Sequence, residues 1–211
     1  MPHYNILIGC DQKYYDNWAK ILLQSIHYHN PMLKLHCHVV NPSNLQKFSY
    51  VNYTTEIIEI KDENSMISYL QSVRFLQASK IPTNEYVITL DADTICTRPF
   101  LQNELDSLFG SQSILQHPKD GRWLAGLVAY RQDNFRLEFA NKLNSISPQQ
   151  WEWGRDQNIL AELSETYKFV PVNKSIMSIG KNRNESVFLT LKGDQKYTEK
   201  YLNIYRKYIN D

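Results

Sequence analysis

The chain has 211 residues, 42% of them apolar and 21% charged, and a formal net charge of +1. That length suits one α/β domain able to bury a real core, and the composition excludes a disordered chain. The near-neutral charge removes the electrostatic case for nucleic acid as the main ligand, and no run approaches the ~20 apolar residues of a membrane span.

The N-terminal Met1-Pro2-His3-Tyr4-Asn5 lacks the basic and apolar regions of a signal peptide, so the expected compartment is the cytoplasm. Tyr4 to Cys10 reads as a buried strand ending in Gly9-Cys10-Asp11. Helical period follows from Tyr14 to His29, with Trp18, Ile21, Leu22, Ser25 and Ile26 on one side and Asn30-Pro31 as the stop. Strands are expected over 33–40 and 56–60. A helix opens at Ser65 and ends before Pro82, and a fourth strand spans 86–90 with Asp91 at its exit. Beyond it the pattern predicts a short helix over 99–109, strands over 113–117 and 124–130, and a helix over 134–144. A helix over 157–163 follows, with Asp156 as its cap, then a strand over 167–172 and an amphipathic helix over 197–209 carrying Tyr197, Tyr201, Tyr205 and Tyr208. Alternating strands and helices predict a mostly parallel, doubly wound sheet, in which ligands bind outside the carboxyl ends of the strands. Asp11 and the pair Asp91/Asp93 both fall at that edge. The cysteines, Cys10, Cys37 and Cys96, have neither zinc spacing nor the pattern of a disulfide framework. His27, His29, His36 and His38 around Cys37 read as packing and surface residues rather than a metal cluster.

Asp91 and Asp93 leave an apolar strand two residues apart, and in extended backbone they point to one side. Two carboxylates about 6 Å apart repel by roughly 3 kcal/mol at an effective dielectric near 20. A hard divalent cation with oxygen ligands offsets that, and can neutralise a diphosphate at the same time. Two solvated acids in a strand-end turn are the plainer reading of an isolated Asp-x-Asp.

The run from Tyr86 through Asp91-Ala92-Asp93 to Ile95 resembles the signature of GT-A glycosyltransferases, nearest to family eight, which contains glycogenin and bacterial lipopolysaccharide galactosyltransferases. Five further segments match in order. Ile8-Gly9-Cys10-Asp11 with Tyr14 resembles the family's base-binding strand, and the helical segment from Tyr69 to Arg74 resembles the one whose Arg reaches the donor sugar and the motif aspartates. Leu124-Ala125-Gly126 and Asp156-Gln157-Asn158 resemble the two segments lining the sugar. Lys192-Gly193-Asp194-Gln195-Lys196 resembles the element that closes over the diphosphate. The resemblance implies one GT-A domain over residues 1–211: Rossmann-like, with a mostly parallel central sheet flanked by helices and a small antiparallel element. It further implies Mn²⁺ or Mg²⁺ held by Asp91 and Asp93, a UDP-sugar donor, a glycan or protein-linked glycan as hydroxyl acceptor, and transfer with retention in glycan biosynthesis. In the implied roles Asp11 and Tyr14 hold the base, Arg74, Asp156, Ala125 and Gly126 orient the sugar, Gln157 faces the anomeric centre, and Gly193 and Lys196 meet the diphosphate. Were the enzyme inverting, Glu152 or Asp156 would supply the base.

Alternatives stand beside these roles. Asp11 and Asp156 also suit helix caps, Tyr15 can replace Tyr14 as the stacking ring, and Lys196 suits a surface loop. Trp123, Trp151 and Trp153 suit acceptor stacking or core packing equally. The chain departs from the family pattern at Thr190, where a metal-binding His is expected, at Leu124 in place of Asn, and at Asn158 in place of an acid. The competing classes are a haloacid-dehalogenase-type phosphohydrolase, whose pattern has Thr or Val two residues after the second Asp where this chain has Ile95 and whose later paired acids are missing here, and a catalytically silent carbohydrate-binding GT-A domain.

Overall fold

The computed structural model describes residues 4–82, 85–110, 112–116, 120–130, 133–179 and 186–190, and residues 199, 203, 206 and 208. In chain order the first half comprises β1 (Tyr4–Asp11), α1 (Gln12–Tyr14), a π turn (Tyr15–Ala19), α2 (Lys20–His29), β2 (Lys34–Val40), β3 (Val51–Glu56), α3 (Glu63–Ala78), β4 (Tyr86–Leu90) and β5 (Thr94–Cys96). The second half comprises α4 (Gln102–Gly110), β6 (Gln112–Gln116), β7 (Trp123–Tyr130), α5 (Asp133–Asn144), a 3₁₀ turn (Pro148–Gln150), α6 (Arg155–Leu163), β8 (Phe169–Pro171), β9 (Met177–Ile179) and β10 (Phe188–Thr190).

Among the described residues the central sheet has seven strands in the order β3-β2-β1-β4-β7-β6-β8. Only β7 runs against its neighbours; β3, β2, β1 and β4 are parallel, and β6 is parallel to β8. The mostly parallel α/β expectation therefore holds. Side-chain alternation along β1 splits the core in two. Ile6, Ile8 and Cys10 pack with α2 and α4, whereas Leu7 packs with α3, α5 and α6. On the second face Phe75 stacks on Phe139 at 4.4 Å. A second, three-stranded sheet, β5-β10-β9, leans on the π turn and α2 through Trp18, Ile21, Ile95 and Leu189.

Several elements differ from expectation. The third strand covers 51–56, not 56–60. Along it only Val51 is buried, Tyr53 and Glu56 are half-buried, and Asn52, Thr54 and Thr55 are exposed, as on an edge strand, while Ile57 lies in solvent. Asn41, at φ +49°, ends β2, and its amide brackets the chain after β3, donating to Ile58 O and accepting from Ile58 N; Asn tolerates this left-handed backbone better than most residues. The first helix is interrupted by the π turn, which turns both Tyr15 and Trp18 inward. Gly154, at φ +80°, is the N-cap of α6, so Asp156 sits inside the first turn and is not the cap. Of the expected C-terminal tyrosine stripe, Tyr208 hydrogen-bonds His29 at 2.7 Å and packs against the small sheet's cluster; Tyr197, Tyr201 and Tyr205 lie outside the described residues. The histidines have separate neighbours: His27 stacks on Tyr50, His36 bonds Asn5 and His38 bonds Thr54.

The small sheet is tied to α4 by Arg98, whose fork makes two bonds to Glu104, at 2.6 and 2.9 Å, while the same carboxylate accepts from Leu101 N. The Arg98 guanidinium holds the buried Glu104 carboxyl down at about 2. A carboxyl lowered in the fold adds stability above its unfolded value of about 4.3, and that stability drains away as the pH falls towards 2. Glu104→Gln is expected to lose about 2–3 kcal/mol at neutral pH. Urea unfolding should show the gap to the parent chain shrinking steadily between pH 4.5 and pH 2.

Candidate functional site

The β1–β4 register pairs Ile8 with Leu90, so Asp11 and Asp91 leave neighbouring parallel strands at the same edge of the sheet. Asp91 to Thr94 is not extended. Thr94 N donates to Asp91 O at 3.2 Å, closing a turn that carries the chain from β4 into β5 of the small sheet. The expected same-side strand geometry of Asp91 and Asp93 is thus replaced by positions one and three of a turn. Asp in the first position is favoured by turn chemistry, and the chain must change sheets there. Ala92 and Asp93 are buried, and the Asp91 side chain is 21% exposed.

Arg74 organises this corner. It lies on the buried face of α3, 3% exposed, and its Nη2 meets Asp91 at 2.8 Å, Asp156 at 3.8 Å and the Ala125 carbonyl at 2.9 Å. Three elements thus converge on one guanidinium: the exit of β4, the first turn of α6 and the middle of β7. Two glycines make the approach possible. A Cβ on Gly9 would stand 2.7 Å from Val73 Cγ1 and 2.9 Å from the Arg74 backbone N, so only glycine lets α3 lie this close to β1. A Cβ on Gly126 would stand 3.0 Å from Asp91 Oδ2. Asp91 N donates to the Gly126 carbonyl at 3.1 Å. The ladder between β6 and β7 jumps here, from Ile114 opposite Val128 to Leu115 opposite Leu124. Residues 125–127 therefore bulge out of that ladder, which turns the Ala125 and Gly126 carbonyls towards Arg74 and Asp91.

The residues at the exit of β1 separate cleanly. Asp11 caps α1, accepting from Tyr14 N at 2.7 Å. Tyr14 is 42% exposed beside it. Tyr15 is fully buried, with its hydroxyl on Gln46 O and Tyr53; burial pushes that hydroxyl well above its ordinary range. Tyr15 therefore has no ring face open to a ligand, so the alternative that it replaces Tyr14 is corrected by its burial. Asp156 accepts from Gln157 N at 2.8 Å, and the Gln157 side chain is half-buried at the mouth of the same turn. Gly193 and Lys196 lie outside the described residues. Thr190 is buried and pairs with Thr94 directly after the Asp91–Thr94 turn; neither threonine hydroxyl finds a hydrogen-bond partner among the described residues.

Asp91 and Asp93 are the residues that could hold a divalent cation. Among the described residues no group of three His, Cys, Asp or Glu side chains forms a metal site. Two carboxylates still suit a hard ion of the Mg²⁺ kind, which takes one or two from the protein and the rest of its oxygens from phosphate and water. Sequence reasoning missed Gly9 as a spacer and the bulge at Ala125–Leu127. The first left only a glycine near a strand end as its trace, and the second left none. Among the described residues no helix is long and apolar enough to cross a membrane. No protein-family model and no curated protein matches the chain.

Proposed function

We propose that this chain is a GT-A glycosyltransferase, which binds a UDP-sugar at the shared exit of β1 and β4 and moves the sugar to a hydroxyl of a glycan or protein-linked glycan with retention. One observation carries the reading: buried Arg74 gathers Asp91, Asp156 and the Ala125 carbonyl, which belong to three of the segments whose resemblance had assigned them to a donor site. The strand order, with a single reversed strand β7 and a small second sheet entered directly from the Asp91–Thr94 turn, is compatible with it. So is the topology, because open α/β sheets place ligands at the carboxyl ends of their strands.

In this reading Tyr14 stacks on the base, a contact of about 1–3 kcal/mol for base–aromatic stacking. Asp11 holds the base edge with the carboxylate oxygen not committed to the cap. Asp91 and Asp93 would hold Mn²⁺ or Mg²⁺, which supplies charge neutralisation of the diphosphate when bound. Arg74 fixes Asp91, so that carboxylate is oriented before the donor arrives. Asp156 and the bulged Ala125–Gly126 backbone orient the sugar, and Gln157 faces the anomeric carbon. Gly193 and Lys196 complete the diphosphate side. With the departing phosphate oxygen taking the acceptor proton, no protein base is needed.

A thermal-shift panel of the full chain with UDP, GDP and UDP-sugars, with and without Mn²⁺, tests this. At a hundredfold excess over Kd, UDP with Mn²⁺ should raise Tm by about 5–10 °C. Asp93→Asn should lose the metal-dependent part while unfolding at the parent Tm without ligand. A chain indifferent to every nucleotide, or an Asp93→Asn variant that responds as the parent does, ends the proposal. A second reading, donor binding without turnover, draws on buried Thr190 standing where a metal-binding His is expected; donor binding with no sugar release or transfer would select it.

A further inference from the structure

The proposed donor site leaves open what holds the acceptor, and one side chain stands out for it. Of the four tryptophans, Trp18 and Trp151 are buried, and Trp123 packs edge-on to Phe169 at 5.3 Å. Trp153 is 67% exposed. It does not ride on a loose loop. Trp151, two residues earlier, is 1% exposed, lies against Tyr69 at 5.3 Å and donates from its indole to Ile146 O. Ser65 and Ser68, in the first two turns of α3, donate to the Gln149 and Glu152 carbonyls at 3.0 and 2.6 Å. Tyr69 is itself bonded to Glu56 at the end of β3. Arg155 donates to Lys142 O at 2.7 Å, and Gly154 turns the chain into α6. The backbone on both sides of Trp153 is thus pinned, while its ring stays in solvent.

The loop lies at the ligand edge of the sheet. α3 begins seven residues after β3 ends and runs back to the start of β4, so its first turns, which hold the loop, stand at the carboxyl ends of the strands. Three residues beyond Trp153, Asp156 reaches Arg74. Near Trp153 in the chain, Glu152 and Asn158 are exposed and Gln157 is half-buried. A flat apolar ring in solvent on a pinned backbone, with a carboxylate and two amides within five residues of it in the chain, is the chemistry that recognises a pyranose. The ring's axial C–H face lies on the indole and its hydroxyls bond the polar rim.

We infer that Trp153 is the acceptor platform: it binds a glycan through one sugar ring and presents the hydroxyl to be glycosylated to the donor held beyond Gln157. This rests on the proposed transferase function. The test uses the 211-residue parent chain, Trp153→Ala and Trp153→Phe on a mixed-glycan array, with the UDP and Mn²⁺ thermal shift read in parallel on the same three proteins. The expected result is binding of at least one array glycan by the parent chain, a loss of tenfold or more in Trp153→Ala, recovery of most of it in Trp153→Phe, and one common UDP shift in all three. Glycans bound equally by the parent and Trp153→Ala, or no array glycan bound by a parent chain that does show the UDP shift, overturns the inference. Absence of the UDP shift in all three proteins counts against the donor site instead; glycan binding that depends on Trp153 would then still place a carbohydrate on this ring. A parent chain with neither response overturns both.

Discussion

Arg74→Ala should be the most damaging single replacement in the described part of the molecule, lowering the unfolding free energy by about 3–5 kcal/mol. The guanidinium is buried with Asp91 at 2.8 Å and Asp156 at 3.8 Å, and the Asp156 side chain is 6% exposed. Removing the cation leaves two carboxylates in a poorly solvated corner without the charge that offsets them. The Ala125 carbonyl also loses its donor. Arg74→Lys keeps a charge but not the planar fork, which serves the Gln71 carbonyl through Nη1 and the three convergent groups through Nη2. It should therefore recover only part of the loss. Because Arg74 and Asp91 act as a pair, the double variant Arg74→Ala/Asp91→Ala should cost clearly less than the two single losses summed. Urea unfolding of the parent, the three single variants and the double variant decides this. Strict additivity, or an Arg74→Ala variant within about 1 kcal/mol of the parent, would show that the corner is not built on this residue.

Gly9→Ala should follow closely, at about 1–3 kcal/mol, for a reason of space alone. The added methyl would meet Val73 Cγ1 at 2.7 Å and the Arg74 backbone N at 2.9 Å. A side chain could rotate away, but the backbone of a buried helix cannot, so α3 must back off from β1. The same movement withdraws Arg74 from Asp91. The variant should therefore lose nucleotide response beyond what its lower Tm explains. Gly110→Ala, where an added Cβ meets nothing within 4 Å, is the matched control and should leave both measurements unchanged. A Gly9→Ala chain with parental stability would mean that the contact between α3 and β1 is looser than its geometry states.

Much of the framework was readable along the chain. β1, β2, α3, β4, β7 and α5 appear within one or two residues of where apolar runs, helical spacing and stop signals put them, because each is long enough to carry its own period. The acids at the exits of β1 and β4 were legible for the same reason. Less was legible where an element is defined by its partner. β5, β9 and β10 are three residues each, too short for a pattern, and exist only because they pair with one another. The edge strand β3 was misplaced towards the apolar run at 57–60. An edge strand with one open face tolerates Asn52, Thr54 and Thr55, so hydrophobicity is a poor guide to it.

The same division runs through the site. Sequence by itself determined the α/β class, the parallel half of the sheet, and which residue types stand at the carboxyl ends of its strands, since local period and strand exits are properties of neighbouring residues. Tertiary structure decided that Asp91 and Asp93 sit in a turn, that Asp156 faces Arg74 instead of capping its helix, and that Tyr15 and Trp151 are buried while Tyr14 and Trp153 are not. Those outcomes depend on contacts between residues far apart in the chain, such as the 51 positions between Arg74 and Ala125. Close packing of α3 on β1, possible only at a residue without a Cβ, brings them together.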